Sequence, residues 1–149
     1  MKNGFVMPRR VEFMDTDMAG IAHFTAYFRY METAEHELFR ALGLAAATKD
    51  SERHLGWPRV SCGFDFKAAL RFQDPFEVHL GITRMGKRSI SYHTDIVRDE
   101  QIIASGHTTS VCCTIDTAGG MASIDIPEDV THKLKPYLIP EKKRSKSHD

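Results

Sequence analysis

The side chains best suited to chemistry lie between Arg10 and Glu37. They begin with two carboxylates in Asp15-Thr16-Asp17-Met18-Ala19-Gly20-Ile21-Ala22-His23-Phe24. An ionised carboxylate can attack an electrophilic carbon or take a proton from water. Either route at a carbonyl builds negative charge on oxygen, and that charge needs donors. From Thr25 onward the spacing is helical. A helix start offers unpaired N–H groups and the positive end of a dipole. The amides of His23 and Phe24 are therefore the candidate oxyanion donors. Gly20 allows a turn or a close approach of backbone to a ligand. The same residues also suit a plain loop, because Asp and Gly are common in turns.

Four further positions bear on this site. Asp15, two residues from Asp17 on an extended chain, would point the same way and is read as structural or solvated. His23 is read as a hydrogen-bonded residue beside the helix start or as a donor that steers water. Glu35 falls in the apolar stripe of the helix, where a carboxylate is costly unless paired or functional. It either lines a pocket or reaches a sheet edge or a subunit interface. Ser61, on the polar face of a long strand, reads by position alone as a solvated residue.

Other chemistries find no support. The eight His show no metal-ligand spacing, and no glycine-rich phosphate loop or serine nucleophile elbow is present. Three Cys without a CxxC pair fit a reducing compartment rather than a disulfide framework. Lys+Arg and Asp+Glu are 20 each, so net charge does not argue for nucleic acid or a membrane surface as partner. Met1 to Pro8 has no apolar leader core, and no run is long enough to span a bilayer. A cytoplasmic protein without cofactor is expected.

The elements that must hold these residues follow from periodicity. Phe5 to Phe13 reads as a strand with Val11 and Phe13 on one face, and Pro8 restricts it to an edge or splits it. A helix is expected from about Thr25, its N-cap, to Leu42, with Gly43 closing it. Its apolar stripe would be Phe24, Phe28, Met31, Leu38 and Leu42. Ala45 to Pro58 reads as an irregular connection. From Val60 to Phe72 apolar residues alternate, predicting one long half-buried strand. A turn at Gln73-Asp74-Pro75 leads to Phe76, Val78, Leu80 and Ile82 facing inward. Ile90, Tyr92, Thr94 and Ile96 repeat that pattern, and Arg98 to Gln101 is a hairpin turn. Ile102 to Ile115 is the last strand, and Pro127 to Leu138 contains a short helix. Residues 1–139 form one domain, and 140–149 a disordered basic tail. An antiparallel sheet must cover one face, and the only long amphipathic helix is the one after Thr25. The expected class is α+β, a sheet wrapped around one central helix.

Arg10-Val11, Thr16-Asp17, Gly20-Ile21, Tyr27, Tyr30-Met31-Glu32 and Glu37 together resemble the active-site signature of hotdog-fold acyl-CoA thioesterases, in the 4-hydroxybenzoyl-CoA thioesterase-like group that includes the Tol–Pal-associated enzyme. The resemblance covers roughly Phe5 to Leu138. It implies that Asp17 is the catalytic carboxylate, acting as nucleophile or general base in hydrolysis of an acyl-CoA thioester. It implies CoA phosphate contacts around the basic turn Lys87-Arg88-Ser89, which on its own reads as an ordinary hairpin turn. It alone makes Ser61, at the start of the long strand, a pocket candidate. It implies a homodimer or homotetramer with sheets joined edge to edge. Some relatives carry the carboxylate on the central helix, and many have Arg where this chain has Glu35. His23 stands where an aromatic residue is frequent. The rival readings are a hotdog hydratase or dehydratase using His23, and a non-catalytic acyl-CoA or acyl-carrier binding module.

Overall fold

The computed structural model describes residues 1–44 and 54–140. Most of the Ala45–Pro58 connection, and the expected disordered tail beyond Pro140, lie outside the described residues.

The long helix α1 spans Ala26–Ala41. It contains neither Gly nor Pro and is rich in Ala, Glu, Met, Leu and Arg, all good helix formers. Gly43, at φ +69°, takes the left-handed conformation that closes it. Thr25 occupies the N-cap, but its side chain makes no capping bond. The buried face is Ala26, Tyr27, Tyr30, Met31, Ala34, Glu35, Leu38 and Phe39. The expected stripe therefore holds only at Met31 and Leu38. Phe24 precedes the helix and is 60% exposed, while Phe28 and Leu42 are half-buried. The apolar centre instead runs through two tyrosines flanked by small alanines, which let the helix lie close to the sheet.

That sheet has five strands: β1 (Phe5–Arg10), β3 (Arg59–Phe66), β4 (Pro75–Met85), β5 (Ser89–Arg98) and β6 (Gln101–Val111). Its order is β1-β4-β5-β6-β3, with every neighbouring pair antiparallel. Phe76, Val78, Leu80 and Ile82 of β4, and Ile90, Tyr92, Thr94 and Ile96 of β5, are all buried as their alternation predicts. The β5–β6 turn places Asp99 and Glu100 both at positive φ, the hairpin geometry that matches strand twist. Pro8 sits on β1, an edge strand, as its missing N–H demands.

Three expectations need correction. The first strand ends at Arg10, and Phe13–Asp15 forms a single 3-10 turn, so Phe13 is 79% exposed while Val11 is buried. The long strand from Val60 ends at Phe66, and Lys67–Asp74 is a connection. It is also the other edge of the sheet, so Val60, Cys62 and Phe66 remain exposed despite their alternation. The last strand divides at Cys112, whose N–H donates to the Arg88 carbonyl at 2.7 Å. Beyond it β7 (Cys113–Ile115) and β8 (Met121–Ser123) form a hairpin, and β2 (Leu55–Gly56) completes a small second sheet. The short helix α2, Glu128–Leu134, follows Pro127 as expected.

The core lies between α1 and one face of the large sheet. Both helix N-terminus and groove described below lie at the sheet end where β4 begins and β5 ends. No helix among the described residues is long and apolar enough to cross a membrane.

Candidate active site

The two carboxylates that sequence places side by side separate completely. The 3-10 turn rotates Asp15 into the protein, where it is 3% exposed. Its Oδ2 accepts the Glu12 amide at 2.9 Å and the Tyr30 hydroxyl at 3.0 Å, and its Oδ1 lies 3.3 Å from Arg29 Nη2. Burial, followed by the adjacent Asp15 charge, raises the Tyr30 phenol well above its ordinary value and keeps it a donor. Asp15 is thus a structural anchor tying the loop to α1. The expectation that it points with Asp17 fails because Asp15 is itself the last residue of the 3-10 turn, and the chain becomes extended only at Thr16.

Asp17 is exposed and closes a tight turn. Its N–H donates to Ile21 O at 2.9 Å, its carbonyl accepts Gly20 N–H at 3.0 Å, and its Oδ1 accepts the Ala19 amide at 2.8 Å. Gly20 has φ +77° with open space where a Cβ would lie. It serves the turn, not a close approach. The loop is pinned to the sheet by Ala22 N–H to Leu70 O, 2.7 Å, and to the anchor by His23 N–H to Asp15 O, 2.7 Å.

That last bond corrects one expectation. The His23 amide is already engaged, so it is not a free oxyanion donor. The Phe24 amide has no partner among the described residues. The His23 ring is turned toward Thr25: its Nδ1 lies 2.7 Å from Thr25 Oγ1 and accepts the Thr25 amide at 3.3 Å. An accepting Nδ1 leaves the ring proton on Nε2.

Asp17 lines a groove of about 400 Å³ together with Ile21, Ala22, Phe24, Tyr27, Phe66, Lys67, Ala68 and Ala69. Its walls are apolar and aromatic, with the Tyr27 and Phe66 rings edge to face at 4.9 Å. Burial raises the Tyr27 phenol, partly offset by a backbone hydrogen bond at Leu70 and by Arg98. A larger depression of about 570 Å³ lies near the same end of the sheet between Arg9, Arg10, Pro75, Glu77 and Arg98. It holds neither Asp17 nor a helix-start amide, so the smaller groove is the better chemical site.

The remaining candidates lie elsewhere. Glu35 is 3% exposed and ion-paired with Arg59 Nη1, which also donates to Ser110 Oγ at 2.6 Å, while Arg59 Nη2 lies 3.6 Å from Glu32. Burial raises the Glu35 carboxyl, and Arg59 offsets part of that rise. Glu35 therefore joins α1 to the sheet edge and does not line the Asp17 groove. Ser61 is exposed on β3, its carbonyl accepting Thr108 Oγ1 at 3.2 Å, outside the groove. Lys87 and Arg88 follow the far end of β4. Ten residues of strand separate them from Pro75, about 33 Å at ~3.3 Å per residue. Both lie beside the single carboxylate of Asp125, at 3.7 Å from Lys87 Nζ and 2.9 Å from Arg88 Nε. Within one chain they do not meet Asp17.

Phe66, Lys67, Ala68 and Ala69 were not singled out as site residues by sequence reasoning. The one signal was the pair Ala68-Ala69, where strand alternation fades. No cluster of His, Cys, Asp or Glu among the described residues could hold a metal. Burial pushes the Cys112 thiol up to about 11, which rules it out as a thiolate nucleophile at neutral pH.

Comparisons with known proteins bear on the family and fold of the chain. A match to the thioesterase-like superfamily spans residues 11–134. The acyl-CoA thioesterase YbgC of Haemophilus influenzae is 26% identical over 138 residues, 91% of this chain and 99% of that protein. The 4-hydroxybenzoyl-CoA thioesterase of Pseudomonas sp. (strain CBS-3) is 26% identical over 136 residues, 87% and 96% of the two chains. Among solved structures, a gentisyl-coenzyme A thioesterase superposes with a TM-score of 0.76 at 29% identity, covering 87% of this chain and 98% of the other.

Proposed function

Because this chain belongs to the thioesterase-like superfamily and has the hotdog fold, we propose that it is an acyl-CoA thioesterase in which Asp17 is the reacting carboxylate. The observation that carries the reading is an exposed carboxylate set in an apolar groove beside an unengaged helix-start amide. The acyl part of the substrate lies against Tyr27, Phe24 and Phe66. Asp17 attacks the thioester carbonyl, or takes a proton from the water that does so. The developing oxyanion is met by the Phe24 N–H, with the helix dipole behind it. Collapse of the tetrahedral species expels CoA thiol. On the nucleophilic route, water then hydrolyses the mixed anhydride on Asp17.

Two features favour hydrolysis over the rival chemistries. A hydratase or dehydratase of this fold would use a His with a carboxylate, but the His23 Nδ1 is held by Thr25 and His23 is not among the groove-lining residues. A simple binding module would not need an exposed carboxylate where a thioester carbonyl must sit.

The protein acts as a homodimer or larger homo-oligomer in this reading. β3 is an open edge with Val60 63% and Phe66 47% exposed. Pairing two such edges satisfies backbone groups that otherwise invite aggregation. The groove begins at the end of β3, so a second copy on that edge would help close it.

Thiol release from a panel of aromatic and aliphatic acyl-CoAs tests the proposal. Wild-type protein is expected to hydrolyse at least one class, and Asp17→Asn to lower kcat by about 10²–10⁴-fold, the range for a positioned base, with ligand binding retained. No thiol from any ester, or full activity in Asp17→Asn, would overturn it.

A further inference from the structure

The Asp17 groove holds only two charged residues, Asp17 itself and Lys67, and the other seven are Ile21, Ala22, Phe24, Tyr27, Phe66, Ala68 and Ala69. Lys67 follows β3 directly, and its backbone N–H is fixed to the Ile103 carbonyl at 2.8 Å. The residue is exposed, and it forms no ion pair with any described residue. Arg98 and Arg10, also near this end of the sheet, are engaged. Arg98 Nη1 donates to Ala69 O at 2.6 Å and lies 3.2 Å from Asp74, and Arg10 Nη1 donates to Gln73 O at 2.8 Å. An ammonium without a protein counter-ion beside an aromatic groove is a site for an anion brought by the substrate.

Acyl-CoA offers two kinds of anion, the phosphates of CoA and an acidic group on the acyl chain. The phosphates lie a full pantetheine arm from the thioester. Lys67 shares a small groove with the carboxylate that meets the thioester carbonyl, so the acyl side is the nearer source.

We propose that Lys67 is a specificity residue selecting acyl groups that carry a second carboxylate on an apolar body. This rests on the thioesterase reading above. The ammonium pairs with the substituent while the apolar body lies against Tyr27 and Phe66. Neutral acyl groups of the same size enter the groove but leave the lysine without its partner.

The test compares matched pairs of substrates, hexanoyl-CoA with adipoyl-CoA and benzoyl-CoA with 4-carboxybenzoyl-CoA, for wild type, Lys67→Ala and Lys67→Arg. The wild-type panel comes first and decides the thioesterase reading by itself. Given activity, Lys67→Ala is expected to raise KM for the carboxylated members about tenfold or more, the loss of one hydrogen bond to a charged group. KM for the neutral members and kcat for both are expected to stay put, and Lys67→Arg to restore most of the preference. Arg71→Ala, which removes an exposed cation outside the groove, should change neither. Equal KM increases for neutral and carboxylated esters overturn the proposal. If those increases vanish with acyl-pantetheine thioesters, which lack the nucleotide phosphates, Lys67 is a CoA phosphate ligand instead. No change with any substrate also overturns it.

Discussion

Asp15 and Asp17 are chemically identical and two residues apart, yet their surroundings give them different work. Asp15 is buried and takes bonds from Glu12, Tyr30 and Arg29. Asp17 is exposed in the groove and bonded only to the amide of its own turn. The difference is testable by substitution. Tyr30→Phe removes one hydrogen bond to a buried carboxylate and should lower unfolding stability by about 1.5–3 kcal/mol, read from urea denaturation. It should also lower thioester hydrolysis, because Asp15 holds the loop through its carbonyl to the His23 amide. Asp17→Asn should leave stability within about 0.5 kcal/mol of wild type, as surface changes do. Loss of activity without loss of stability at Asp17, and loss of both at Tyr30, is the expected pattern. At this scale the sequence spacing singles out Asp17, which the structure sets in the groove. The sequence was not legible for the split with Asp15, because a three-residue 3-10 turn leaves no periodic trace. Nor could spacing show that the His23 amide is engaged, since that bond closes between a loop and its own anchor.

At the scale of elements, α1 and β3 are joined by the Glu35–Arg59 pair. Placing a carboxylate on the buried face of a helix is unfavourable by itself, and burial leaves the Glu35 carboxyl raised above its ordinary 4.5 despite Arg59. The folded protein therefore holds this proton more tightly than the unfolded chain. Its contribution to stability is full below about pH 4.5 and declines as pH rises through the raised folded value. Arg59→Met deprives the buried carboxylate of its partner and should destabilise by about 3–5 kcal/mol at neutral pH. That penalty should shrink as pH falls, because Glu35 then takes up a proton. Denaturant unfolding of Arg59→Met against wild type from pH 7 to 5 checks this, and a penalty independent of pH would refute it. Glu35 was visible in sequence as an anomaly in the stripe, but its partner was not. Arg59 lies 24 residues away on another element, and only tertiary packing brings them together. The same holds for the strands. Alternation placed β4 and β5 correctly because both their flanks are paired. It overextended the strand from Val60, because alternation reports which way residues face and not whether anything covers them. Val60 and Phe66 are patterned as core residues on a strand that is the sheet's edge.

For the whole molecule, that mismatch between pattern and exposure bears on assembly. Central strands bury their apolar rows under α1. β3 carries a similar row, Val60, Cys62, Phe64 and Phe66, yet only Phe64 of these is half-buried. An edge strand with an exposed apolar row is an aggregation hazard in a monomer and an ordinary surface in a dimer. The groove points the same way. It opens at the end of β3 and has no wall from this chain beyond Phe66 to Ala69 on that side. Placing one charge in the exposed apolar row of the edge separates the two states. Val60 is 63% exposed, so Val60→Lys should leave the isolated fold nearly unchanged, within about 0.5 kcal/mol. In a paired edge it sets an ammonium against the apolar row of the neighbouring copy. Sedimentation velocity should show wild-type protein as a dimer or larger assembly, and Val60→Lys shifted toward monomer at low micromolar concentration. Under the proposed dimer, activity should fall with the assembly and recover as protein concentration rises. A monomeric wild-type protein, or a variant that dissociates yet keeps full activity at every concentration, would show that the groove within one chain suffices.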